Sequence, residues 1–150
     1  MPKILVVDDE QGILDVLIDN LSEDGFDVIS ATNGASALVS IYRERPDLVL
    51  LDLMIPVVNG YEVLRELRNN STTKNLPVIL LTAVSPAEGA QAALKLGAND
   101  YMTKPWKRSS ILKVIDNALG EATSSGPAKS SSSHFGEHQA NQFPPNWLPT

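Results

Sequence analysis

Five side chains that lie far apart in the sequence could perform chemistry together. Each ends or follows a predicted strand, and they are Asp8, Asp9, Asp52, Thr82 and Lys104. Carboxylates bind hard cations, and a hydroxyl or an ammonium group donates hydrogen bonds to an anion. A carboxylate also acts as a nucleophile where an acyl phosphate forms. These groups would suit a phosphoryl group attached to one carboxylate beside a metal ion.

The charge balance of such a site favours a divalent cation. Two like charges about 4 Å apart repel by roughly 1 kcal/mol in bulk water and by about 4 kcal/mol near a protein surface. Lys104 would offset one negative charge, and Mg²⁺ is the expected ion because the ligands are oxygens and the chain has no cysteine. Asp52 is the expected nucleophile because it stands alone, whereas Asp8 and Asp9 are paired for the metal.

Each of these residues also has an ordinary structural explanation. Asp8 and Asp9 could cap a helix that begins near Glu10, and Asp52 could be an acidic loop residue. The threonine could shape a turn, and the lysine could be a solvated surface residue. The placement of all of them at the ends of four different strands favours a shared site.

Short apolar runs predict the strands that would position these residues. The strongest runs do not alternate with polar residues, as is typical of strands buried on both faces of a parallel sheet. The predicted strands are Ile4–Val7, Val28–Ala31, Leu48–Leu51, Val78–Leu81 and a fifth at about Asn99–Met102. The run Val28–Ala31 is weaker, so we place it at an edge of the sheet.

Apolar residues at helical spacing predict a helix after each strand. Val63, Leu64 and Leu67 mark the third helix, and the ends predicted for the other four are Gly25, the residue before Pro46, Leu96 with Gly97 as its C-cap, and Gly120. The fourth helix starts at Ser85, where a capping box is expected. Five βα units predict an α/β fold, a doubly wound parallel sheet with helices on both faces. Ligands of such sheets bind at the carboxyl ends of the strands.

Composition narrows the range of functions. The chain has 150 residues, 43% of them hydrophobic, and a net charge of −6, which disfavours binding to nucleic acid or to an anionic membrane. The apolar run at the N-terminus is too short for a signal peptide or a membrane span, so we expect a cytoplasmic protein. Residues 121–150 contain six serines, four prolines and two glycines, which predicts a disordered tail after a domain of residues 1–120.

Four motifs in this order resemble the response-regulator receiver family of two-component signalling. They are Lys3–Glu10, Asp52–Gly60, Leu81–Ala83 and Gly97–Pro105, and the resemblance covers about residues 2–120. It implies a flavodoxin-like, five-stranded parallel sheet in the order 2-1-3-4-5. It also implies a single-domain receiver that accepts a phosphoryl group on Asp52 from a histidine kinase or a phosphotransfer protein.

The resemblance assigns a role to each matching residue. It implies that Mg²⁺ is held by Asp9, Asp52, the Met54 carbonyl and, through water, Asp8. It implies that Thr82 and Lys104 bind the phosphoryl oxygens, that Tyr101 moves with Thr82 as the switch, and that the Lys104–Pro105 bond is cis. Trp106 departs from the family, which most often has phenylalanine there.

The family also implies how such a domain would signal. Phosphorylation would change contacts with a downstream protein, whose identity the sequence does not give, and the receiver would be a monomer or a phosphorylation-dependent dimer. It would be a switch rather than an enzyme, catalysing only its own phosphorylation and dephosphorylation. Met54 and Val84 flank the site and offer no group that positions water, so we expect a long-lived phosphorylated state.

Three other protein classes fit the sequence less well. A hydrolase with an aspartyl-phosphate intermediate generally has a second aspartate where this chain has Met54. A phosphorylation-independent module on the same fold would lose the acidic pair or the lysine, and this chain keeps both. A dinucleotide-binding protein would need a glycine-rich loop after the first strand, where Asp8, Asp9 and Glu10 stand instead.

Overall fold

Five parallel strands form one sheet in the order β2-β1-β3-β4-β5. The computed structural model describes residues 1–82, 91 and 95–123. The strands are β1 (Lys3–Val7), β2 (Asp27–Ala31), β3 (Leu48–Asp52), β4 (Val78–Thr82) and β5 (Asp100–Thr103). The predicted sheet and its strand order are confirmed, and each strand lies within two residues of its predicted bounds.

Four helices among the described residues cover both faces of the sheet. They are α1 (Gln11–Glu23), α2 (Gly34–Glu44), α3 (Gly60–Arg68) and α4 (Arg108–Thr123). Alternate residues of each central strand face opposite layers: Leu5 and Val7 pack with α2 and α3, whereas Ile4 and Val6 pack with α1 and α4. The sheet is therefore doubly wound, as predicted.

The central and edge strands differ in burial as their sequences indicate. Every residue of β3 and of β4 is buried, which explains why those two runs are almost continuously apolar. The edge strands β2 and β5 are mostly half-buried or exposed. The weaker run was therefore placed correctly at an edge.

Most predicted helix ends agree with the structure, and one is wrong. Gly25 follows α1 with a φ of 93°, Arg45 ends α2 in a left-handed conformation before Pro46, and Gly97 has a φ of 88°. Helix α4 does not end at Gly120 but continues to Thr123. A glycine inside a helix costs only about 1 kcal/mol relative to alanine, so it did not stop this one.

Two predictions fall wholly or mostly outside the described residues. The helix expected from Ser85 to Leu96 is described only at its C-terminal end and at residue 91, and most of the predicted tail lies beyond residue 123. Within the described part of the chain, no helix combines the length and the apolarity that crossing a membrane requires.

Candidate functional site

The carboxyl edge of the sheet brings together residues from the ends of four strands and from the loops that follow them. Asp52 is the last residue of β3 and Thr82 the last residue of β4, while Asp8 directly follows β1 and Lys104 directly follows β5. Parallel pairing fixes this arrangement, because Asp52 lies beside Leu81 in the neighbouring strand. Residues separated by up to 96 positions thereby reach one another.

Lys104 bridges the two buried acids of the site. Its Nζ lies 2.9 Å from Asp8 Oδ2 and 3.1 Å from Asp52 Oδ2. The side chains of Asp8 and Asp52 are 0% and 6% exposed, whereas that of Lys104 is 19% exposed. One cation therefore serves two carboxylates in a largely dry environment, where ion pairs are much less screened than at the surface.

The second oxygen of each acid accepts a hydrogen bond from the backbone two residues later. The Glu10 N–H donates to Asp8 Oδ1 at 2.9 Å, and the Met54 N–H donates to Asp52 Oδ1 at 3.0 Å. Both oxygens of each carboxylate thus have a donor. The two side chains are held in fixed orientations before any ligand arrives.

Burial and the neighbouring charges change the acidity of the pair. Burial is the largest influence and raises the pKa of Asp52; the Met54 N–H opposes this rise, the charge of Asp8 reinforces it, and Lys104 opposes it. Burial alone would lower the pKa of Lys104, but the hydrogen bonds and charges of the two acids outweigh it and leave that pKa raised. Lys104 is therefore protonated at neutral pH.

Asp8, Asp9 and Glu10 form a cluster that can hold a metal ion. One carboxylate oxygen from each lies within 4.8 Å of the others, with Asp8 buried and the other two exposed. Glu10 was missed as a candidate ligand, although it directly follows the acidic pair in the sequence. The capping explanation is supported only in part: Asp8 accepts the Glu10 N–H, but the N-cap of α1 is Glu10 itself, whose own side chain makes no cap hydrogen bond.

Thr82 and Tyr101 occupy different surroundings near the site. Thr82 is 5% exposed, and its backbone carbonyl accepts a 2.8 Å hydrogen bond from the Lys104 N–H, which fixes the start of the lysine's loop. Tyr101 is half-buried and packs against the core layer that contains α2 and α3. The Lys104–Pro105 bond is cis, as expected.

The loop between β3 and α3, residues 53–59, is held closely against Asp52. The Gly60 N–H donates to the Leu53 carbonyl at 3.0 Å, and a Cβ at position 60 would lie 2.6 Å from the Asp52 carbonyl oxygen. Asn59 and Glu62 form a capping box that starts α3. Within the loop Val57 has a φ of 71°, which the sequence did not predict because β-branched residues avoid that conformation.

Of the two apolar residues expected to flank the phosphorylation site, the structure describes only Met54. The Met54 side chain is 76% exposed and lies at the rim of the site rather than in the core. Val84 lies outside the described residues.

A model of the response regulator receiver domain matches residues 4–116 of the chain. The chain belongs to the response regulator receiver family. This is the receiver family of two-component signalling, so the expected family is confirmed. Apart from Lys3, the matched region contains all five strands, and it includes the acidic cluster described above.

The chain is similar to part of a longer protein that is named a probable transcriptional regulator. It is 45% identical over 123 residues to the ycf27 protein of Porphyridium aerugineum, which bears the name of a transcriptional regulator. The match covers 77% of this chain and 50% of that protein, so the chain spans about half the length of that relative.

Solved receivers have the same fold. The chemotaxis response regulator CheY4 of Vibrio cholerae superposes with a TM-score of 0.74 at 30% identity, covering 79% of this chain and 98% of that one. The receiver domain of the sensor histidine kinase PA1611 from Pseudomonas aeruginosa gives a TM-score of 0.73 at 32% identity, with the same coverage. In that second structure a magnesium ion is coordinated in the active site cleft.

Proposed function

We propose that this receiver accepts a phosphoryl group on Asp52 from a histidine kinase or a phosphotransfer protein. The observation that carries the proposal is the bridging of Asp8 and Asp52 by Lys104 at the carboxyl edge of the sheet. That arrangement keeps a buried carboxylate oriented beside a cation, as a nucleophile for an anionic phosphoryl group must be.

The transfer itself requires little from the protein beyond position and charge. An Asp52 oxygen would form the new O–P bond while the P–N bond of phosphohistidine breaks and its electron pair returns to the imidazole nitrogen. Lys104 would then bind a phosphoryl oxygen, and Thr82, at the end of the adjacent strand, would donate its hydroxyl to another.

The residues present fit a magnesium ion. One oxygen from each of Asp8, Asp9 and Glu10 lies within 4.8 Å of the others, and Lys104 already pairs with both Asp8 and Asp52. A single lysine therefore cannot neutralise all of these acids. Asp9, Asp52 and the Met54 carbonyl would hold the ion, with Asp8 acting through water. When bound, Mg²⁺ would supply positive charge that stabilises the oxygens of the transferring group.

Signalling would follow from the charge added at the buried edge. The acyl phosphate would carry about −1.5 to −2 charges where the carboxylate carried one, and it would bring three strong acceptors, for which Lys104 and Thr82 are the proposed donors. Movement of Thr82 would shift Tyr101 and change the surface beside β5. The output would be contact with a partner protein in the cytoplasm rather than with nucleic acid or a membrane, and the domain would catalyse only its own phosphorylation and dephosphorylation.

A small acyl-phosphate donor tests this function without knowledge of the kinase. The purified protein should be labelled in Mg²⁺ and not in excess chelator. Lys104→Met should be labelled roughly tenfold or more slowly, because it loses one charge-assisted hydrogen bond to the phosphoryl group. Lys3→Met is the matched control, since Lys3 pairs with Glu44 near the opposite edge of the sheet. Full labelling in chelator, or no labelling in Mg²⁺, would contradict the proposal.

A further inference from the structure

The N-terminus of α2 touches the loop of residues 53–59, although none of the family motifs includes α2. Gly34, the first residue of α2, is buried, and its N–H donates to the Pro56 carbonyl at 3.4 Å. A Cβ at position 34 would lie 1.6 Å from the Val58 carbonyl oxygen and 2.5 Å from its carbonyl carbon. Real Cβ atoms essentially never approach another atom within 3.0 Å, so only glycine fits here.

Val57 lies between the two residues that Gly34 contacts. Its φ of 71° is a left-handed conformation, which a β-branched residue adopts only when its surroundings impose it. The Val57 side chain is 79% exposed, so its own packing does not stabilise that conformation. The backbone contacts of Gly34 with Pro56 and Val58, the two neighbours of Val57, restrain the backbone in this conformation.

The same loop is joined directly to the acceptor carboxylate. Gly60 packs on the backbone of Asp52 at one end, and the Met54 N–H donates to Asp52 Oδ1 near the other. A displacement of Pro56–Val58 would therefore reach both Asp52 and the Met54 carbonyl.

We propose that Gly34 is a positioning residue for the Asp52 site. Its missing side chain lets α2 pack against the loop, and this contact holds the loop, with Val57 strained, in the geometry that orients Asp52 and the Met54 carbonyl. The functional part of this inference rests on the proposed function, but the structural part does not.

The first test measures the loop without metal or phosphodonor. In amide nuclear magnetic resonance spectra, Gly34→Ala should shift the signals of residues 53–60 most strongly outside α2, including that of Met54. Gly12→Ala is the matched control, because a Cβ there meets nothing within 4 Å. Loop signals that stay at their wild-type positions in a folded Gly34→Ala variant would overturn the inference.

The second test measures the consequence for the site. Magnesium affinity, followed by titration of the same amides, should fall about tenfold in Gly34→Ala, as it does when supports of metal ligands are removed elsewhere. Acyl-phosphate labelling should slow in parallel, while Gly12→Ala keeps wild-type values. Unchanged affinity in Gly34→Ala would overturn the positioning role.

A milder variant keeps the inference testable if Gly34→Ala does not fold. Asn33 Oδ1 accepts the Ser36 N–H at 2.9 Å and caps α2, so Asn33→Ala loosens the same turn without adding atoms. It should shift the same loop signals and weaken magnesium binding by a smaller factor. If the variants shift the loop signals but wild type is not labelled by the donor in Mg²⁺, the phosphorylation function is refuted and the loop contact stands. If wild type is labelled but the variants shift no loop signals, the positioning role of Gly34 is refuted and the phosphorylation function stands.

Discussion

At the scale of residues, the site is defined by an imbalance of charge. Lys104 is the cation that the two buried acids share, and the exposed Asp9 and Glu10 add negative charge at the rim. Breaking a buried ion pair is costly because the remaining charge has lost its solvent. The ion pair with Lys104 therefore stabilises Asp52 in the folded protein, while the remaining negative charge of the site favours the binding of a further cation.

The raised pKa of Asp52 predicts how its replacement changes stability with pH. The folded state holds the Asp52 proton more tightly than the unfolded chain does, so this stabilising contribution is complete below the unfolded pKa of about 3.9 and is lost as the pH rises through the folded pKa. In chelator, Asp52→Asn should therefore gain stability relative to wild type as the pH rises from about 3 to about 7. Urea denaturation at a series of pH values measures the difference.

Magnesium should reverse that ordering, since it binds the ionised carboxylate. At a concentration about 100 times its dissociation constant, the ion should stabilise wild type by roughly 2.7 kcal/mol and Asp52→Asn far less. Asp116→Asn, at an exposed position on α4, should follow wild type throughout.

The pH prediction would be contradicted if Asp52→Asn in chelator lost stability relative to wild type as the pH rises. That result would show that the folded state favours the ionised form of Asp52.

At the scale of elements, Arg68 joins loops that the sheet alone does not connect. Burial lowers the pKa of its guanidinium to about 10, and its acceptors are oxygens of neutral groups. It donates to the carbonyls of Gly97 and Leu76 at 2.8 Å each, to that of Thr73 at 3.2 Å and to Asn99 Oδ1 at 3.1 Å. The end of α3 thus fixes the turn before β5, the strand that delivers Lys104.

Replacement of Arg68 should be costly even though it lies far from the site. Arg68→Met leaves three partly buried carbonyls and the more exposed Asn99 Oδ1 without this donor, so we expect a loss of roughly 2–4 kcal/mol in the free energy of unfolding. Arg43→Met, exposed on α2, should change it by less than about 0.5 kcal/mol. Equal urea midpoints for the two variants would show that the Arg68 hydrogen bonds add nothing net.

At the scale of the whole molecule, the sequence predicts the sheet better than the contacts between loops. The layered arrangement of sheet and helices could be predicted from Ile4–Val7 and the other apolar runs, because unbroken apolar runs that alternate with helical patterns are compatible with few other folds. Asp8, Asp52 and Lys104 were predicted to meet because parallel strands end at one edge, and in the structure they do.

The contacts that sequence reasoning missed all depend on tertiary packing. Nothing local marks Gly34 as touching Val58, and valine at position 57 argues against the left-handed conformation found there. In the sequence Arg68 resembles an ordinary basic residue at the end of a helix, and only the folded structure shows its four acceptors. Gly120 gave a wrong prediction, because a local signal for a helix end was expected to stop α4, whereas the helix continues through it.

The most direct test of the account is to locate the phosphoryl group chemically. After reaction with an acyl-phosphate donor in Mg²⁺, borohydride reduction converts an aspartyl phosphate to homoserine, which mass spectrometry of peptides can place. We expect homoserine at position 52 alone, and none in Asp52→Asn. Homoserine at Asp8 or Asp9, or a phosphate that resists borohydride and maps to a hydroxyl residue, would contradict it.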